Sequence, residues 1–265
     1  MSTTSPSFAS PWPSIWTIAK NTYKEIIRER LLYGILLMAV LLTASSFFLA
    51  TISLEQNARV LQNVGIAAIH LFTFGICVFV ATNSLAKDVD RRALYLLFSK
   101  PISRPQYVLG KYVGFLLLLI TALVLLGGLF SLGLMFTDKT LLTGTLINLC
   151  YSFFEISFLL AWSVLFASFT APLNAALYTV ALFIIGHSLE TLRAYVEKLN
   201  NATIHTITNF CYYVLPNLEK FDVRRSILYG LHIPVQNVIW MIVYWVIYTG
   251  FVLFMAIRVM STLEF

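Results

Sequence analysis

Six apolar runs, at about residues 31–53, 64–86, 109–136, 145–169, 175–191 and 235–259, limit what this chain of 265 residues can fold into. A helix crosses the hydrocarbon core of a bilayer with roughly 20 residues, and lengths of about 17–25 are usual. The run at 109–136 exceeds that range, so it is expected to tilt or project past the bilayer. Composition agrees: 59% of residues are hydrophobic and 11% charged, whereas soluble domains carry roughly 25% charged residues. Mean hydropathy is +0.82. A soluble fold is excluded, and the expected class is an all-α integral membrane protein with six transmembrane helices.

The formal charge of +6 therefore says little about nucleic acid, and no nucleic-acid partner is expected. Lys and Arg beside spans set orientation and meet anionic lipid. With the N-terminus inside, the inner side holds Lys20, Lys24, Arg28, Arg30, six bases between residues 86 and 111, and Arg258. The two short outer loops hold only Arg59 and Lys139. The rule has little force in the long outer segment, at about 192–234. Both termini are thus expected in the cytoplasm, with the protein in the cytoplasmic (inner) membrane.

The segment 87–108 is the strongly charged stretch lodged between two long apolar runs. Asp88 or Asp90 can cap a short helix, because a carboxylate accepts the unpaired amide hydrogens of a first turn. Leu94, Leu97 and Phe98 then fall on one face at spacings of three and four. Pro101 and Pro105 forbid continuation and push Lys100 and Arg104 towards extended geometry. The expected result is a short amphipathic helix and a stiff turn carrying Ser103, with Arg91, Arg92, Lys100 and Arg104 as its positive charge. That shape suits docking on another protein.

The run Leu96-Leu97-Phe98-Ser99-Lys100-Pro101-Ile102-Ser103-Arg104, followed by Leu109-Gly110-Lys111, resembles the segment after the second span in type 2 ABC transporter permeases. Asp90 is followed here by Arg91-Arg92, where that family usually has Gly-Thr. Ser168-Phe169-Thr170 with Ala171-Pro172, Gly186-His187-Ser188, and Leu215-Pro216-Asn217-Leu218 before Phe221-Asp222 resemble its metal-enzyme-maturation and general-export branch. The resemblance implies that 87–108 is the coupling element contacting a separate ABC ATPase subunit. It also implies a dimer, with a second copy or a close relative. ATP and Mg would belong to the ATPase, with no cofactor on this chain.

Around those features the chain divides simply. Residues 1–13 are rich in Ser, Thr and Pro and are expected to be disordered. No apolar h-region follows a basic start, so no cleavable signal peptide is expected. Ser14 can cap an amphipathic helix over 14–30 that lies on the membrane surface with its bases towards headgroups. A soluble amphipathic helix packed on another subunit is the alternative reading of that stretch. Residues 31–265 form one transmembrane domain, and 192–234 is too polar to span, so it reads as an outer cap of short helices. Gly110 and Gly114 have the small-xxx-small spacing that lets helices approach closely.

Catalytic motifs are missing. There is no GxxxxGK[ST] loop: Tyr112 follows Gly110-Lys111 where Ser or Thr is needed. Gly186-His187-Ser188-Leu189-Glu190 lacks the closing Gly of the GxSxG elbow. No HExxH occurs, the four histidines are scattered, and Cys77, Cys150 and Cys211 show no ligand spacing, so no metal site is expected. Glu155 is the span residue that most needs an explanation, since a carboxylate in hydrocarbon costs about 2.5 kcal/mol or more unless paired, protonated or wetted. It can bond His187 at a comparable depth, or line a substrate or proton path. The function expected is the permease subunit of an ATP-driven exporter. The alternative is a non-transporting transducer that passes ATPase motion to a periplasmic or extracellular accessory protein; an intramembrane hydrolase is a third, poorly supported class.

Overall fold

A computed structural model describes residues 11–29, 57–90, 103–137, 139, 141–197, 215–228 and 234–262, with scattered positions between 33 and 48 and between 205 and 212. The elements are α1 (Pro11–Ile27), α2 (Asn57–Asp90), α3 (Arg104–Thr137), α4 (Leu141–Ala167), α5 (Pro172–Val196), a 3-10 turn (Glu219–Phe221), α6 (Arg224–Leu228) and α7 (Val235–Thr262). No strand occurs among the described residues. Five helices, α2 to α5 and α7, are long and apolar enough to cross a membrane. The expected span at 31–53 lies largely outside the described residues, although the positions described there are helical.

Successive spans alternate in direction, so the bundle has two ends. One gathers the start of α3 and the last turn of α7, joined through Arg104; it is called the Arg104 end below. The other holds Lys139 between α3 and α4. With 34 residues, α3 is roughly 51 Å long at about 1.5 Å per residue, well beyond a hydrocarbon core of about 30 Å.

α4 is the central helix and packs against α2, α3, α5 and α7. It is largely apolar all round, as a buried helix must be, and its serine hydroxyls are bonded. The Ser157 and Ser163 hydroxyls donate to the carbonyls of Phe154 and Leu159 on the preceding turn. Tyr112 of α3 donates to the Ser157 carbonyl at 3.1 Å, and Trp245 of α7 donates to the Ser157 hydroxyl at 2.8 Å. One residue thus ties three helices together. Phe158, a turn-neighbour of Phe154, packs with Phe221, Tyr244 and Tyr248, and Phe154 meets Trp245 edge-on.

α1 differs from expectation in its start. It begins at Pro11, not Ser14, because proline fits the first turn of a helix, where its missing N–H has no partner to lose. Ile18, Ala19, Thr22 and Ile26 are buried, against α3 of the same chain. Gly110 and Gly114 make that possible: a Cβ on Gly110 would stand 2.7 Å from the Ile18 side chain, and one on Gly114 2.8 Å from that of Thr22. The register climbs together on both helices, and the Tyr23 hydroxyl meets Thr121 Oγ1 at 2.8 Å, so α1 runs alongside α3. Trp12 and Trp16 remain exposed on its outer face.

The region expected as a cap contains, among the described residues, the 3-10 turn and the five-residue α6. α5 continues to Val196, five residues past its expected end. Gly186 is one place where this region touches the bundle. Leu218 N–H donates to the Gly186 carbonyl at 3.2 Å, and a Cβ on Gly186 would lie 2.6 Å from Leu218 Cγ. Only a glycine lets that loop come so near.

Candidate functional site

Two places carry polar chemistry: the Arg104 end and a buried cluster in mid-bundle. At the first, α2 remains helical through Asp90. Asp88 and Asp90 therefore lie in the last turn of α2; the short helix that either was expected to cap falls outside the described residues. Arg91, Arg92, Leu94, Leu97, Phe98, Lys100 and Pro101 lie outside the described residues.

Ser103 and Arg104 are described, and each has a local task. Ser103 precedes α3, and its own N–H donates to Gln106 Oε1 at 3.0 Å. That is half of an S-x-x-Q capping box, in which the side chain three residues on satisfies an orphan donor at the helix start. The motif was readable in Ser103-Arg104-Pro105-Gln106 but was overlooked beside the prolines. Arg104 is the first residue of α3, not extended, since Pro105 sits within the tolerant first turn. Its Nη1 donates to the carbonyls of Met260 and Ser261 at 2.8 and 2.6 Å. A cation on the last carbonyls of a helix also meets the negative end of its dipole.

One turn and more into α3, Lys111 is only 4% exposed. Its Nζ donates to Ser84 Oγ of α2 at 3.1 Å and lies 3.9 Å from Glu25 Oε2 of α1. Counted in the sequence as one more base beside a span, it is in fact a buried tie between three helices. Its neighbour Gly110 gives the only hint: a glycine that admits α1 also brings α1's carboxylate within reach.

The second place is centred on Glu155, 3% exposed in the middle of α4. Glu155 Oε1 lies 3.3 Å from His187 Nε2 of α5 and also 3.3 Å from His70 Nε2 of α2. His187 Nδ1 donates to the Phe183 carbonyl at 3.2 Å, one turn back on its own helix. His70 Nδ1 is 3.1 Å from Ser152 Oγ, whose hydroxyl donates to Asn148 Oδ1 at 3.4 Å. Phe183 stacks over Phe74 and His70, closing the apolar wall around the cluster. His70 was missed in the sequence because it stands alone in span two; only the packing of α2 on α4 and α5 brings it there. Among the described residues no group of His, Cys, Asp and Glu is arranged to chelate a metal ion.

A cavity of about 720 Å³ opens at the other end of α4, α5 and α7, lined by Tyr151, Glu190, Lys220, Asp222, Trp240 and Tyr244 among others. Tyr244 accounts for part of its wall: its hydroxyl accepts from Asn217 N–H at 2.9 Å, and Lys220 Nζ lies 4.3 Å from its ring centre.

No curated protein matches the chain. The sequence model of one family, described as ABC-2 family transporter protein, matches residues 16–260, from α1 to the last turn of α7. Five helices long and apolar enough to cross a membrane fit a multi-pass membrane protein, and the chain belongs to the ABC-2 transporter family.

Proposed function

We propose that this chain is the permease subunit of an ATP-driven exporter in a cytoplasmic membrane, paired with a second permease and served by two copies of a separate ABC ATPase. The observation that carries the reading is the family match over residues 16–260, joined to the way the Arg104 end is built. The segment after α2 re-enters the bundle at a capped helix start, and Arg104 fastens that start to the end of α7. Lys111 and the two glycines fasten it to α2 and α1. A push delivered to residues 91–102 by an ATPase would thus reach three helices through short, stiff connections. Asp88, Asp90, Arg91, Arg92, Leu94, Leu97, Phe98, Lys100, Pro101, Ser103 and Arg104 stay the proposed coupling set. Within it, Ser103 and Arg104 hold the element in place, and the charges of Arg91, Arg92 and Lys100 face the partner. ATP and Mg are bound by that partner, and both termini of this chain are cytoplasmic.

Co-purification tests the reading. A tagged chain should bring down an ABC ATPase from membranes of its native cell, and reversing Arg91, Arg92 and Lys100 to Glu should weaken the association, more so at high salt, because exposed ion pairs are screened. Undiminished association in the triple reversal would refute the proposed contact. A second reading, a transducer without cargo, is favoured by one observation: the loop at 216–218 is bonded to both α5 and α7, through Gly186 and Tyr244. Motion of the spans would be passed directly to that loop and to an accessory protein beyond it. ATP-dependent accumulation of cargo in inverted vesicles separates export from transduction.

A further inference from the structure

The geometry points to a binding site for one exchangeable proton, formed by His70, Glu155 and His187, with His187 its most exposed member. The case starts with tautomers. A carbonyl only accepts, so the nitrogen facing the Phe183 carbonyl, His187 Nδ1, carries the hydrogen. In a neutral His187, Nε2 then carries a lone pair 3.3 Å from Glu155 Oε1. The Ser152 hydroxyl hydrogen goes to Asn148 Oδ1, which leaves Ser152 Oγ to accept from His70 Nδ1. Neutral His70 therefore also carries a lone pair 3.3 Å from the same carboxylate oxygen.

With the carboxylate ionised and both rings neutral, three acceptors would converge with nothing between them. A single added proton removes the conflict. Placed on Glu155 it makes a carboxyl that donates to one Nε2; placed on a ring it makes an imidazolium beside a carboxylate. Either way the cluster is electroneutral, which a site buried in an apolar bundle requires. Glu155 Oε1 and His70 Nε2, in residues 3% and 6% exposed, have no aligned hydrogen-bond partner of their own.

Access is one-sided. The His187 side chain is 27% exposed, against 7% and 4% for those of His70 and Glu155. Tyr151 lies one turn from Glu155 on α4 and Glu190 one turn from His187 on α5, on the same helix faces, and both line the cavity. The other titratable groups on the elements packed against the cluster include Cys77 of α2, Lys111 and Tyr112 of α3, Tyr178 and Arg193 of α5, and Tyr244 and Tyr248 of α7; Tyr112 is bonded to the Ser157 carbonyl and Tyr244 to Asn217. His187, the most exposed of the three, is the group through which the proton would leave. Release leaves a carboxylate facing two lone pairs and loosens the clasp between α2, α4 and α5.

The test uses the full chain in lipid nanodiscs, without ATPase, so it does not depend on the proposed export function. Infrared difference spectra between acid and alkaline buffer should show a protonated-carboxyl C=O band that disappears as pH rises and is lost in Glu155→Gln. In deuterated water the band should shift down, several-fold more slowly in His187→Leu than in Ser188→Ala, whose hydroxyl only bonds the Ile184 carbonyl. Nitrogen-15 spectra of the wild-type histidine rings should report Nδ1–H on both His70 and His187 at alkaline pH, which guards against a variant that fails to fold. A band that persists in Glu155→Gln, or wild-type spectra with no pH-dependent carboxyl or ring signal, would overturn the site. So would stoichiometric uptake of Zn²⁺ by the wild type with no proton band, which would make it a metal centre.

Discussion

Replacing Gly114 by alanine isolates the contact that seats α1. A Cβ there would be 2.8 Å from Thr22 Cβ, 2.9 Å from its Cγ2 and 3.0 Å from the Ala19 carbonyl oxygen. Neither a Cβ nor a backbone oxygen is the free end of a side chain, so α1 as a whole must move. Overpacking of this kind costs about 1–3 kcal/mol, while Gly→Ala in a helix returns up to about 1 kcal/mol of intrinsic propensity. The net is about 1–2 kcal/mol against the docked helix, or roughly a 5–30-fold shift in its opening equilibrium. Amide hydrogen exchange along α1 should accelerate by that factor. The same helix supplies the control: Gly128 has no atom within 4 Å of its virtual Cβ, so Gly128→Ala should leave α1 exchange unchanged. Equal acceleration in both variants, or none in Gly114→Ala, would refute the argument that close approach at Gly114 holds α1.

Arg104→Met keeps most of the stem and removes the donors to Met260 and Ser261; hydrogen bonds from charged groups are worth about 1.5–3 kcal/mol, less where solvent screens them, and faster exchange confined to the last turn of α7 is expected. Lys111→Met should change the thermal midpoint of the purified chain little, because an apolar residue of similar volume often replaces a buried charge without loss, within about 1 kcal/mol. Lys111→Glu, which sets a carboxylate beside Glu25, should fail to yield folded protein. Gly186→Ala puts a Cβ 2.6 Å from Leu218 Cγ and 3.0 Å from the Pro216 carbonyl oxygen, so trypsin should cut at Lys220 faster than in the wild type; an unchanged rate would mean the loop does not depend on that approach.

The transmembrane class was legible because hydropathy is a property of single runs and needs no neighbour to read it. Three of the helix-ending signals were legible as well: Asp138-Lys139, Pro172 and Pro234 fall between described helices or at a helix start. Local signals were also where the reading slipped. Proline at 105 reads locally as a stop, yet it stands in the first turn of α3 with Ser103 and Gln106 completing the cap. Proline at 11 and 13 was taken for disorder, yet both residues lie in α1. A proline breaks a helix only when a carbonyl one turn earlier needs its missing N–H, and at a helix start there is none.

The buried groups divide differently. Glu155 announced itself, because a lone carboxylate in an apolar run is costly whatever surrounds it. His70 could not, since a single histidine in a span is unremarkable until it is known which helices it faces. The same holds for Lys111, which reads as a flanking base and sits instead between Ser84 and Glu25.

From the amino-acid order alone came the lipid-crossing runs, the charged segment after span two and the carboxylate that hydrocarbon will not tolerate unaccompanied, since each follows from side-chain transfer energies that act residue by residue. Which side chains accompany that carboxylate, where α1 lies and what Arg104 holds were settled only by the packing of the helices. These are contacts between residues 45 to 157 positions apart, or 85 and 32 about Glu155, and a periodicity read along one helix carries no information about the face of another.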